Sequence, residues 1–240
     1  MKAAMTRNLE ALLRRRAIRE FDALPVPLKT REQILRAAAA APSSCNSQPY
    51  RLIWIETPEK KAKAAELCMS QRAAKTASVL VVAVADLGIW RLTNESQLQW
   101  MRAAGFPEGK IREYEKKAKF SKLFYLQGWG NIFGALKWAI LTAIHPWKVI
   151  GMAPVTKQGL FKWATKSTAL ACGNLMIAAE ALGFNTCPME GFDGVRLSNF
   201  LGLSRRTQEI VMVIAIGKKS AKHVDQPQWR RALETTVTTL

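Results

Sequence analysis

The stretch APSSCNSQPY, residues 41–50, ends a run of five alanines with a segment that cannot stay helical. Pro42 and Pro49 each lack an amide donor and push the residue before them into extended geometry. Between them stand Ser43, Ser44, Asn46, Ser47 and Gln48, all able to hydrogen-bond a polar ligand. Composition alone makes this a helix-to-strand loop. What else it does depends on the sequence on either side.

Toward the N-terminus, Thr30-Arg31-Glu32-Gln33 has the form of a capping box and predicts a helix through residue 41. Residues 8–16 read as a short basic helix with Leu9, Leu12 and Leu13 on one face. On the other side RLIWIE, residues 51–56, is strand-like. Thr57-Pro58 then opens a helix to about residue 69. SVLVVAVA, residues 78–85, is a continuous apolar run of strand length, hence a central strand. Residues 160–182 predict a long apolar helix stopped by Gly183. A short extended piece (184–187), a brief helix (195–201) ending at Gly202 and a buried strand (210–216) follow. Helices thus flank a few strands, with no βαβ alternation and no G-x-G-x-x-G loop. The class is α+β, with a small central sheet, and not a Rossmann fold.

Composition narrows the rest. At 240 residues and 49% apolar, the chain reads as one domain with one sizeable core. Thirty-six Lys plus Arg against eighteen Asp plus Glu give a net charge of +18. That surplus calls for an anionic partner: a phosphate ligand, nucleic acid or an acidic membrane surface. No nucleic-acid-binding motif accompanies the charge, so nucleic acid is not the expected partner. Cys45, Cys68, Cys172 and Cys187 show no C-x-x-C spacing and are expected to be free thiols of a cytoplasmic protein. With two histidines in the chain, no metal site is expected. The first residues place arginines where a secretion signal needs an apolar run.

Three separated stretches suit an anionic, planar ligand. Arg14-Arg15-Arg16-Ala17-Ile18-Arg19 offers planar, permanently charged forks that match phosphate. The opening loop offers hydroxyls and amides. Pro188-Met189-Glu190-Gly191-Phe192-Asp193-Gly194 is a glycine turn that exposes backbone amides, with Asp193 also placed to cap the next helix. In this order, R-R-x-x-R, P-S-S-x-N-x-Q-P and P-x-E-G-F-D resemble the FMN-dependent nitroreductase family, from about residue 12 to 85 and from about 165 onward.

The resemblance implies an obligate homodimer with FMN at the interface, and ping-pong turnover from NADH or NADPH to a nitroaromatic or quinone-like small-molecule acceptor. It implies that Arg15, Arg16, Ala17 and Arg19 form the FMN-binding segment, and that Pro42, Ser43, Ser44 and Asn46 contact the flavin from the partner subunit. It further implies that the Glu190-Gly191 backbone approaches flavin N5, and that Arg230 with Arg231 provides a second phosphate ligand. Three positions depart from the family pattern: Ala17 replaces a Ser or Thr, Gln228 a lysine and Ala232 a proline. No catalytic side chain is expected, because flavin carries the redox chemistry. The same fold also hosts reductive dehalogenation, for which Glu113, Tyr114 and Lys117 supply the residue types.

Residues 90–159 fall outside the resemblance and read as a family-atypical insertion. Residues 91–157 hold eleven Lys plus Arg against four Glu. Yet residues 123–147 contain one charged side chain, Lys137. There Trp129, Ile132, Phe133, Leu136, Ile140, Ile144 and Trp147 recur at helical spacing on one face. Glycines and Pro146 interrupt the run, so a transmembrane helix is not expected. Two readings follow. One is a helical pair acting as lid or dimer arm. The other is a basic, Trp-rich element in peripheral contact with an acidic membrane on its inner face, as in a membrane-surface quinone reductase.

Overall fold

The computed structural model describes residues 7–22, 24–150 and 155–239. Helix α1 (Arg7–Arg14) leads through an extended strip to a two-residue strand, β1 (Phe21–Asp22). Helix α2 (Leu28–Ala39) and the proline-bounded loop then lead into β2 (Tyr50–Ile55). Helices α3 (Pro58–Leu67) and α4 (Arg72–Thr76) precede β3 (Val79–Asp86). Three helices occupy the middle of the chain: α5 (Trp90–Ala103), α6 (Glu108–Tyr125) and α7 (Ile132–Ile144). Then come α8 (Lys157–Ala181), β4 (Asn185–Met189), α9 (Gly194–Phe200) and β5 (Gln208–Lys219).

All strand pairings within the sheet are antiparallel, in the order β1-β5-β3-β2. β4 also lies along β5, pairing Asn185 with Gly217 and Met189 with Val213. The apolar run read as a central strand is central, and every residue of β3 is buried. Its alternation feeds two cores. Leu80, Val82 and Val84 join Val213 and Ala215 under α3, α4 and α9. Val79, Val81 and Ala83 join Ile214, Ile216, Ile34 of α2 and Leu175 of α8 on the opposite face. Each fully buried side chain of this kind contributes about 1.5–3 kcal/mol, so the two-sided packing of β3 and β5 anchors everything the site is built on.

Helix α8 starts at Thr156, whose Oγ1 accepts the Gly159 amide at 3.0 Å, and ends before Gly183 at φ +73°. Asp193 caps α9 by accepting the Arg196 amide at 2.9 Å.

The structure departs from the sequence reading in three places. The Thr30 capping box does not form: α2 begins two residues earlier, after Pro27, and the Arg31 amide already bonds the Pro27 carbonyl. The fixed φ of Pro27 starts the helix without a side-chain cap. The middle segment holds three helices where a pair was expected: α5 comes before the expected two and is set off from α6 by Gly105 (φ +69°), while Gly128 (φ +69°) and Gly130 (φ +63°) turn α6 into α7. Residues 151–154 of that segment lie outside the described residues. β1 and α4, of two and five residues, are too short to show a period.

Candidate functional site

The arginine strip is laid against the sheet by a backbone contact with β4. Ala17 forms a parallel bridge to Thr186, and the Ile18 amide donates to the Thr186 carbonyl at 3.0 Å. Ile18 turns into the core, 3% exposed, which fixes the strip's orientation. The arginines then divide. Arg14 Nε pairs with Glu180 at 2.9 Å, and Arg16 Nη1 donates to the Gln226 carbonyl at 2.6 Å. Arg15 and Arg19 face β4. Burial pushes the Cys187 thiol up, and the positive charges of Arg19 and Arg15 pull it back. Arg15 Nη1 is buried with no hydrogen-bond partner among the described residues, as is Thr186 Oγ1. A guanidinium nitrogen withdrawn from water without an acceptor is the costliest kind of unsatisfied donor.

The glycine turn follows β4 directly. The carbonyl of Gly191 accepts Gln71 Nε2 at 2.7 Å, and the Asp193 amide donates to the Leu67 carbonyl at 2.8 Å. Gln71 arrives from the α3–α4 connection, where Met69 and Ser70 take left-handed backbone at φ +57° and +51°. A Cβ on residue 191 would stand 3.1 Å from Gln71 Nε2, so a larger residue there would push the Gln71 side chain back by a few tenths of an ångström. The Gly191 amide donates to no atom among the described residues. Arg15, Arg16, Ala17 and Arg19 therefore run along β4, and Glu190 and Gly191 follow directly from its end. Gln71 clasps that turn and was missed in the sequence, where one Gln between Ser70 and a five-residue helix carries no recognisable signal.

The proline-bounded loop lies elsewhere. Cys45, Asn46 and Gln48 hold φ of +56°, +49° and +43°. Left-handed backbone costs about 1–2 kcal/mol per ordinary residue and less for Asn. Internal bonds hold it: Ser43 Oγ accepts the Gln48 amide at 3.0 Å, and Gln48 Nε2 donates to Asn46 Oδ1 at 3.1 Å. The loop enters β2 opposite Ala85, and the Asp86 amide donates to the Pro49 carbonyl. That is the Gln208 end of β5, whereas Thr186 pairs with Ile216. Eight residues of strand correspond to roughly 27 Å, and β2 and β4 lie on opposite sides of β3 and β5. Within one chain, Pro42, Ser43, Ser44 and Asn46 do not meet the arginine strip.

Cys45 instead lies within electrostatic reach of Tyr114, Lys117 and Tyr125. Tyr125 stacks on Trp90 (5.2 Å between centroids, 8° between planes) and meets Trp163 edge-on at 6.3 Å. Burial raises the Tyr125 hydroxyl pKa. The Tyr114 hydroxyl is engaged by Asn94 and Gln97 of α5, and Glu113 pairs with Lys117 at 2.9 Å along α6. Arg230 and Arg231 are exposed. Arg230 Nη1 donates to the neighbouring Trp229 carbonyl, and no hydrogen bond or ion pair among the described residues joins either arginine to the strip. A cleft of about 460 Å³ lined by Phe161, Phe192, Ser198 and Arg205 contains neither Gly191 nor these arginines.

Fold and site together define an α+β protein with an arginine-bearing strip along β4 and a clasped glycine turn after it. The sequence profile of the nitroreductase family matches residues 12–218, and the chain belongs to that family. It is 28% identical to an NADH dehydrogenase of Thermus thermophilus, over 95% of this chain and 93% of that one. It is 27% identical to the oxygen-insensitive NAD(P)H nitroreductase of Salmonella typhimurium, over 82% of each. A protein of Exiguobacterium sibiricum solved in complex with FMN has the same fold, with a TM-score of 0.73 at 22% identity over 100% of both chains.

Proposed function

We propose that this chain is an FMN-dependent oxidoreductase that takes electrons from NADH or NADPH and passes them to planar acceptors of the nitroaromatic or quinone type. The observation that carries the reading is the buried Arg15 Nη1, which has no hydrogen-bond partner among the described residues, on a strip bridged to β4, the strand that runs into the Gly191 turn. A phosphate oxygen is the acceptor that this guanidinium lacks, and a charge-assisted bond there contributes about 1.5–3 kcal/mol. Arg19 adds a second positive charge on the same strip. The Gly191 amide, fixed by Gln71, provides a donor for the edge of a ring system. Bound FMN supplies the redox chemistry, in a ping-pong sequence that uses one pocket for donor and acceptor.

The working unit is a homodimer. The strip and turn of one protomer and the 42–46 loop of the other complete a site that neither holds alone. Leu9, Leu12 and Leu13 of α1 remain about half exposed beside α8, where Leu170 is 51% exposed; a partner protomer covers them. The Trp90–Tyr125–Trp163 cluster next to Cys45 then supplies aromatic faces for a flat acceptor.

The test is direct. Purified protein should carry flavin absorbance that bleaches anaerobically with NADH or NADPH and returns on adding a quinone, at the mass of a dimer. A colourless chain that takes up no added FMN, or an FMN-loaded monomer, overturns the reading.

A further inference from the structure

Helix α7 has an apolar face that nothing among the described residues covers. Ile132, Phe133, Leu136, Ile140 and Ile144 fall on one side of the helix, and each is 38–59% exposed. Trp129 and Trp147 bracket the face at its two ends, 88% and 80% exposed. The helix is held to the body along a strip that borders this face. Gly134 is buried against the Gln127 side chain, and Lys137 Nζ donates to the carbonyls of Leu123 and Leu126, both at 2.8 Å. The single charge of α7 thus caps the C-terminal end of α6, where a cation meets the negative end of the helix dipole. The outward face is left wholly apolar.

Its surroundings are basic. Glu108, Glu113 and Glu115 are paired within the segment, with Arg112, with Lys110 and Lys117, and with Arg102. Lys116, Lys119 and Lys122 of α6, and Lys148 beside Trp147, have no ion pair among the described residues and are exposed. A second copy seated on this face would bring another surplus of seven positive charges against the first. An anionic surface is the complement. At 13 residues α7 is about 20 Å long, too short for a hydrocarbon core of about 30 Å. No described helix is long and apolar enough to cross a membrane.

We infer that α7 docks this protein on an anionic lipid bilayer. The helix lies in the interface plane, its aliphatic face enters the acyl boundary, and Trp129 and Trp147 sit at headgroup level. The lysines hold the anionic leaflet, each strengthening partition about fivefold. This inference stands on the exposed face and does not depend on the flavin site.

The experiment is co-sedimentation of the full chain with vesicles of phosphatidylcholine, with and without about one-third phosphatidylglycerol. Binding should require the anionic lipid, fall steeply with added salt, and shift tryptophan emission to the blue. Leu136→Glu/Ile140→Glu places charge at two exposed positions and should weaken partition at least about tenfold. It should leave FMN content and oligomeric mass unchanged. Lys116→Gln/Lys119→Gln/Lys122→Gln should flatten the salt dependence while the apolar contact remains. Absence of binding at low salt, or equal binding by the Leu136/Ile140 variant, overturns the inference. A drop in oligomeric mass for that variant does so too, because it makes the face an interface between copies.

Discussion

Replacing Arg15 by methionine should move stability and ligand affinity in opposite directions. Methionine keeps most of the aliphatic stem and removes the guanidinium whose Nη1 is buried without an acceptor among the described residues. An unsatisfied buried donor costs about 1–3 kcal/mol, more when charged. Its removal should therefore leave the FMN-free protein as stable as before, or more stable by about 1 kcal/mol. FMN loses a charge-assisted bond of about 1.5–3 kcal/mol, which weakens binding roughly 10- to 150-fold. Urea unfolding of the FMN-free protein gives the first quantity, and quenching of FMN fluorescence on titration gives the second. A purely structural arginine would behave otherwise: the variant would be destabilised and its FMN affinity unchanged. That pair of results would refute the phosphate assignment.

Gln71→Ala removes the bond to the Gly191 carbonyl and should cost about 0.5–1.5 kcal/mol in urea unfolding. It should also shift the absorbance of bound flavin, and an unaltered spectrum would detach Gln71 from the site. In the FMN-free protein a disulfide-exchange reagent at neutral pH should modify Cys45 alone, the other three thiols being buried and reacting only after unfolding. Burial pushes Cys68 to about 11, Cys172 to about 12 and Cys187 upward. The folded state thus holds these thiol protons to higher pH than the unfolded chain, which releases them near 9.0. Their stabilising contribution is complete below that value and lost as pH rises through about 11 to 12. Urea midpoints should fall between about pH 8 and pH 10, and a thiol-to-alanine variant at Cys172 should show a smaller fall. Arg230→Ala tests the C-terminal arginine. An exposed ion contact of about 0.5–1 kcal/mol predicts a two- to fivefold loss of FMN affinity, and no change removes Arg230 from the site.

Much of the fold could be read from local chemistry. β3 announced itself by eight apolar or small residues in a row, α8 by its length and Gly183, and α9 by Asp193. The misses have a common physical cause. β1 exists only because Phe21 and Asp22 meet Lys219 and Lys218 across the chain, and no local pattern encodes a two-residue pairing. Thr30 looked like a cap, but Pro27 had already started the helix. At the site, the arginines and the glycine turn were legible as residue types. Their convergence rests on one bridge between Ala17 and Thr186 and one bond from Gln71, contacts that join residues more than a hundred positions apart.

The position of β5 has a consequence for how the molecule is made. This strand is the last in sequence and lies between β3 and the β1/β4 edge. While it is missing, β3 presents one full side of apolar, unpaired backbone, the arrangement most prone to sticking to other chains. From Asp86 to Lys219 a ribosome must add 133 residues, which takes roughly 7 to 27 s. For that interval the nascent chain has neither core closed, since both need Val213 to Ile216. The edge that carries the arginine strip depends on the same event, because among the described strands β4 pairs with β5 alone. The protein therefore acquires its sheet and the support for its arginine strip together, only once β5 has been made, and a chain cut short before Gln208 has neither.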